Sequence, residues 1–113
     1  MKKIEAIIRP TVLEDVKEAL KAIDLNGITI SQVMGCGRHK GYTEIYRGTQ
    51  IDINVLAKVK LEIVVDDAKA ELVIQSIIDS ARLGEIGDGK IFVYDVQDAI
   101  RIRTGERGML AIS

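Results

Sequence analysis

Apolar and polar positions alternate along the chain in two rhythms. Residues 3–9 (KIEAIIR) alternate with a period of two and predict a strand that Pro10 ends. Leu13, Val16, Leu20 and Ile23 then recur at helical spacing, which predicts an amphipathic helix. Thr11 and Glu14 have the spacing of a capping box at its start, and Asn26-Gly27 predicts its end. Residues 28–34 (ITISQVM) predict a second strand. The longest alternation is Val55–Val65, with Val55, Ala57, Val59, Leu61, Ile63 and Val65 on one face and Leu56, Lys58, Lys60, Glu62 and Val64 on the other. Asp66-Asp67 predicts the cap of a second helix whose buried stripe is Ala70, Val73, Ile74, Ile77, Ile78 and Ala81, with Gly84 as its stop. Ile91–Val96 predicts a fourth strand, and Ile100–Arg103 a short alternating segment.

The order is βαβ followed by βαβ. It predicts an α+β ferredoxin-like βαββαβ sandwich, one antiparallel sheet with both helices on one side, in a single domain spanning 1–113. Two helices are too few to cover both faces of a three-layer fold. Residues 35–54 show neither rhythm. A stretch that long in a compact domain is usually functional or disordered. With four glycines, Arg38, Lys40, Arg47, Tyr42 and Tyr46, it reads as a mobile contact arm.

Composition narrows the function classes. The chain has 113 residues, 16 Lys+Arg against 17 Asp+Glu, and a net charge of −1, which argues against a general nucleic-acid binder. Cys36 is the only cysteine, so no internal disulfide can form, which suits a reducing compartment. It reads as a small packing residue rather than a nucleophile. Met1-Lys2-Lys3-Ile4-Glu5 lacks the apolar core of a signal peptide, and no uncharged run approaches a membrane span, so the expectation is a cytoplasmic protein without membrane insertion. A chain this short leaves much surface exposed when folded, which makes self-association plausible.

Three clusters could receive an anion. Gly84-Glu-Ile-Gly87-Asp-Gly89-Lys90 offers backbone N–H groups and a lysine, although it lacks Walker A spacing; a helix cap followed by a turn would also account for it. Arg101 and Arg103 share one face if their segment is extended, and paired guanidiniums suit phosphate; solvated arginines pairing with Glu106 or Asp98 are the alternative. Gly35-Cys-Gly37-Arg38-His39-Lys40-Gly41 combines flexible backbone donors with fixed cations, with Lys58 directed to the same edge; a solvent-facing turn is the alternative. His39 and Cys36 alone make an improbable zinc site. No nucleophile elbow or paired carboxylates are present, which favours a sensor over an enzyme.

Over nearly its full length the chain resembles the PII signal-transduction family (nitrogen regulatory protein P-II). The resemblance rests on Lys2–Pro10, Gly37-Arg-His-Lys-Gly41, Thr43-Glu-Ile-Tyr-Arg-Gly48, Lys58–Val65, Gly84-Glu-Ile-Gly-Asp-Gly-Lys-Ile-Phe-Val93 and Arg101-Ile-Arg-Thr-Gly105. It implies a homotrimer binding ATP or ADP between subunits and 2-oxoglutarate with Mg2+ and ATP. The implied segments are a T-loop at 37–55, a B-loop at 82–90 and a C-loop at 101–109. Gly87, Gly89 and Lys90 would hold phosphates, with Arg101 and Arg103 arriving from the neighbouring subunit, and Asp88 would also belong to the nucleotide-binding set. Ile7, Thr29, Gly35, Glu62 and Val64 would enclose adenine and ribose, and Gly37 and Arg38 would also contact the nucleotide. Gly37, His39, Lys40, Gly41 and Lys58 would take 2-oxoglutarate, with Lys58 on its distal carboxylate and His39 as a candidate magnesium ligand. Tyr46, Arg47 and Thr49 would meet a partner, an ammonium transporter first and glutamine synthetase next.

Three positions depart from the family pattern. His39 stands where many members have glutamine. Ile51 stands where many bacterial members have a tyrosine that is uridylylated, so that modification has no hydroxyl to use. Leu83 replaces a usual threonine or serine. Two rival readings are an RNA-binding ferredoxin-like module, faintly suggested by Lys40–Tyr46, and an acylphosphatase-like hydrolase for which no positioned base is identifiable.

Overall fold

A computed structural model describes residues 1–25, 27–36, 43–46, 49–52 and 55–113, with 43–46 and 49–52 described as backbone only. The elements are β1 (Lys2–Ile8), a 3-10 turn (Pro10–Val12), α1 (Leu13–Ala22), β2 (Thr29–Cys36), β3 (Thr43–Tyr46), β4 (Thr49–Asp52), β5 (Val55–Val65), α2 (Asp67–Ala81), β6 (Gly89–Asp95) and α3 (Met109–Ile112). The main sheet has the order β2-β5-β1-β6 with every pair antiparallel, the expected ferredoxin-like arrangement. β3 and β4 form a separate antiparallel pair, so the stretch 35–54 is not without regular structure.

Strand alternation sorts the sheet into two faces. Ile4, Ala6 and Ile8 of β1 and Val59, Leu61, Ile63 and Val65 of β5 are buried against Val16 and Leu20 of α1 and Ala70, Val73, Ile77 and Ala81 of α2. No polar or charged side chain is buried among the described residues, so the core is held by aliphatic packing. The predicted stripes are therefore right in type. Ile74 of α2 and Leu13 and Ile23 of the α1 region are only partly buried at its margin. Val55 and Ala57, predicted inward, are exposed because that end of β5 runs past the helices.

Helix ends depart from the sequence reading. Pro10 starts helical geometry early, as a proline at the first position can. Thr11 therefore lies inside the 3-10 turn, Val12 is the α1 N-cap, and no side chain caps it, so the capping box is absent. The left-handed residue that ends α1 is Asp24 (φ 62); Gly27 does not have a positive φ, and Asn26 lies outside the described residues. Asp24 N–H donates to Lys21 O (3.0 Å) and Leu25 N–H to Leu20 O (3.0 Å), a Schellman closure whose Leu25 packs on the core. Asp66 precedes α2 without a side-chain cap bond, and Asp67 pairs with the Met1 amino group at 2.9 Å. α2 ends at Ala81, before Gly84, and β6 begins at Gly89, two residues earlier than expected.

Candidate anion-binding site

The helix-free face of the sheet carries much of the candidate set. Register places Lys3, Glu5 and Ile7 of β1 in rows with Val64, Glu62 and Lys60 of β5 and with Tyr94, Phe92 and Lys90 of β6. On the other flank Thr29, Ser31, Val33 and Gly35 of β2 oppose Glu62, Lys60, Lys58 and Leu56. Ile7, Thr29, Gly35, Glu62, Val64, Lys58 and Lys90 thus share one face. They do not form one cleft in a single chain. Thr29 and Gly35 are six residues apart on one strand, about 20 Å at strand rise. Thr29, Glu62 and Val64 line a concavity of about 790 Å³ closed by Met109 and Ala111 of α3, whereas Ile7, Asp88, Gly89 and Lys90 line another of about 480 Å³ beside α2.

Charges on this face are locally balanced. Lys3 Nζ reaches Glu62 (3.2 Å) and Glu5 (3.9 Å), and Lys60 reaches Glu62 (3.7 Å). Tyr94 donates its hydroxyl to Glu5 (3.0 Å), which raises the phenol's pKa by stabilising its protonated form, and Lys3 lies 4.8 Å from the Tyr94 ring centre. Glu62, expected among the residues around adenine and ribose, is held by two lysines.

The glycine–lysine loop between α2 and β6 is the most strongly organised part. Gly89 (φ 112) crosses against β1, and a Cβ there would lie 1.8 Å from Ile7 O, so only glycine fits. Asp88 Oδ2 accepts the backbone N–H groups of Leu83 (3.1 Å), Gly84 (2.9 Å) and Glu85 (3.3 Å). Burial alone would raise the Asp88 pKa, but these bonds and the Arg9 charge hold it below the ordinary carboxylate value. Arg9 donates to Ile86 O (2.8 Å) and approaches Asp88 Oδ1 (3.5 Å) and Glu85 Oε2 (4.0 Å). Lys58 reaches across from β5 and donates to Gly87 O (2.7 Å). Its pKa is lowered, first by desolvation and then by Arg9, with Asp88 opposing. Of the expected nucleotide-binding set, Asp88 turns inward, so its carboxylate holds the loop together instead of facing outward.

Arg9 was not among the expected site residues. Its only sequence signal is a cation at the end of a central strand before Pro10. Its partners 76 and more residues away come into reach only because β1 pairs with β6, Ile8 opposite Gly89.

The arginine segment differs from its prediction. Residues 102–104 turn, Ile100 bridges Arg107, and Arg101 N–H donates to Glu106 O (2.9 Å), so Arg101 and Arg103 are not neighbours on a strand. Arg101 pairs with Glu106 (3.1 Å) and donates to Ser113 O (2.8 Å), the alternative the sequence left open. Arg107 takes Asp98 (2.7 Å). Arg103 is exposed and makes no ion pair among the described residues, and Ile102 between the two is 100% exposed. Cys36 is exposed at the end of β2, not a packing residue, because no helix covers that edge. Gly37, Arg38, His39, Lys40, Gly41 and Arg47 lie outside the described residues, and Tyr46 and Thr49 are described only as positions in β3 and β4. β3 pairs with β4 and not with the main sheet, so Thr43–Tyr46 adds no base-stacking strand to that sheet, and Lys40–Tyr42 lie outside the described residues.

A family model described as "Nitrogen regulatory protein P-II" matches residues 1–106. The chain belongs to the P-II family. Among its relatives, the nitrogen regulatory protein P-II of Rhodospirillum rubrum is 57% identical over 112 residues, covering 99% of this chain and 100% of the relative. That of Nostoc punctiforme is 54% identical over 112 residues with the same coverage. The crystal structure of Arabidopsis thaliana PII bound to citrate superimposes with a TM-score of 0.79 at 46% identity, covering 98% of this chain and 88% of that one. This P-II protein is accordingly a nitrogen-regulatory signal transducer, a regulator and not an enzyme. No helix of the described residues is long and apolar enough to cross a membrane.

Proposed function

We propose that this P-II protein binds ATP or ADP at the glycine–lysine loop and 2-oxoglutarate beside Lys58, and that these ligands set the state of its T-loop (37–55). The observation that carries this reading is the loop itself. A backbone bent at Gly87 and Gly89 stands at the edge of the open face between Lys58 and Lys90, with Ile7 beside it. Lys58 uses one of its ammonium donors on Gly87 O, which fixes it beside the loop and leaves its other donors for a carboxylate. The citrate in the Arabidopsis relative supports a polycarboxylate ligand class.

The two concavities share no lining residue, and the one beside α2 is lined largely from the helix side of the sheet, so neither by itself encloses the expected nucleotide set. On this reading a homotrimer completes the site, each copy lending Arg101 and Arg103 to a neighbour. Exposed Ile86, Ile102 and Leu110 support such burial between copies. Among the described residues no cluster of three His, Cys, Asp or Glu could hold a metal. On this reading magnesium would come with the nucleotide phosphates, and His39, which lies outside the described residues, would be its protein ligand. The protein works in the cytoplasm, where Tyr46, Arg47 and Thr49 meet an ammonium transporter or glutamine synthetase. A ligand shifts T-loop populations only as far as its affinity differs between them.

Titration calorimetry with ATP, with ADP, and with 2-oxoglutarate after magnesium and ATP tests this. Micromolar nucleotide binding and nucleotide-dependent 2-oxoglutarate binding are expected. Absence of heat with both nucleotides overturns it.

A further inference from the structure

We propose that Arg9 and Asp88 form a positioning pair that shapes the glycine–lysine loop for its anion without touching that anion. The proposal rests on the nucleotide reading above. Pro10 holds Arg9 extended (φ −67, ψ 143) at the end of β1, the central strand against which the loop returns. From there one guanidinium nitrogen bonds Ile86 O at 2.8 Å and stands 3.5 Å from Asp88 Oδ1. The other carboxylate oxygen of Asp88 gathers three successive N–H groups, from Leu83 to Glu85, and Asp88 N–H closes the turn onto Glu85 O at 3.2 Å. Asp88 thus acts as an internal anion for the first half of the loop, leaving Gly87, Gly89 and Lys90 to face a ligand.

Two further observations give the pair its character. Arg9 Nε and Asp88 Oδ1 are buried without hydrogen-bond partners. They are donor and acceptor of the same pair, so a small shift or a single bridging water satisfies both, and each would be costly without the other. An inward carboxylate also keeps negative charge from projecting beside a bound phosphate. Placing donors before the ligand arrives reduces the ordering that binding must otherwise supply.

The test uses the full chain and four variants, Arg9→Gln, Arg9→Lys, Asp88→Asn and the double Arg9→Gln/Asp88→Asn, with Lys90→Ala as a ligand-side control. ATP and ADP affinities are measured by calorimetry, and amide hydrogen exchange at Leu83–Glu85 is measured without nucleotide. Each single neutral variant is expected to weaken ATP by about tenfold, the scale of one charged hydrogen bond. The double should be no weaker than the worse single, and Arg9→Lys should recover part of the loss. Exchange at Leu83–Glu85 should quicken in Arg9→Lys and Asp88→Asn even if Arg9→Gln does not fold. Losses that multiply in the double, or wild-type affinity and exchange in both singles, overturn the pair. If the parent protein binds neither nucleotide, the nucleotide reading fails instead, and the exchange data alone then decide whether the pair shapes the loop.

Discussion

The glycine–lysine loop and the C-terminal arginine turn carry the same chemistry, cations beside bent backbone, yet are held in opposite ways. The loop is fixed from a distance: Arg9 and Lys58 reach it from two strands of the sheet, and Gly89 is pressed against the Ile7 carbonyl. The turn is fixed within the C-terminal segment, through Arg101 and Glu106 five residues apart, the Ile100–Arg107 bridge and the Arg101 bond to Ser113 O. A loop tied to a sheet inherits the sheet's rigidity, whereas a turn tied to its own residues is an independent local unit. The first suits a preformed cradle and the second a part that docks onto another copy.

The largest effect should come from breaking the loop's close approach. Gly89→Ala should cost about 3 kcal/mol in urea unfolding, because the left-handed backbone is strained for alanine and the colliding atom belongs to a central strand. A loss under about 1 kcal/mol would mean that the loop stands off β1. Gly105→Ala sharpens the contrast. Gly105 also has positive φ (73), but an added Cβ meets nothing within 4 Å, so only the conformational cost of about 1 kcal/mol should appear. Equal losses at the two positions would erase the distinction between an anchored loop and a self-contained turn.

Arg101→Ala should change stability by less, under about 1 kcal/mol, since its pair with Glu106 is partly solvated. On the trimer reading it should still weaken ATP binding severely. Calorimetry and urea unfolding on the same variant separate the two, and unaltered ATP affinity would remove Arg101 from the site.

The smallest contrast is in pH. Asp98 is held below its ordinary pKa first by Arg107 and then by the Ala99 N–H, and Asp88 is held low despite the opposing effect of burial. Both folded-state values are depressed. Their stabilisation is therefore fully present above the unfolded carboxylate pKa, 3.8, and is lost as pH falls through the lower folded values. Urea midpoints followed from pH 5 to pH 2 should fall less steeply in Asp88→Asn and in Asp98→Asn than in the parent. Curves parallel to the parent's would show that neither carboxylate is held by the fold.

Local rhythm made the fold legible. Val59, Leu61, Ile63 and Val65 announce a half-buried strand, and Ala70, Val73, Ile77 and Ala81 a packed helix, because these periods follow from backbone geometry alone. Helix ends were less legible. Thr11 and Asp66 have capping side chains that form no cap bond, since Pro10 moves one helix start and Asp67 meets the amino terminus at the other. The β3–β4 pair was invisible because its strands, TEIY and TQID, are four residues each and carry no apolar alternation.

For the candidate site, residue types alone marked the glycine–lysine segment and the arginine pair as anion-binding equipment, because bent backbone amides and guanidiniums are recognisable by composition. Only the tertiary structure decided that Asp88 faces inward, that Arg9 holds it, and that Lys58 rests on Gly87. Those contacts join β1, β5 and the α2–β6 loop across dozens of residues. The order β2-β5-β1-β6 is what brings them within a few ångströms, and no local pattern encodes that proximity.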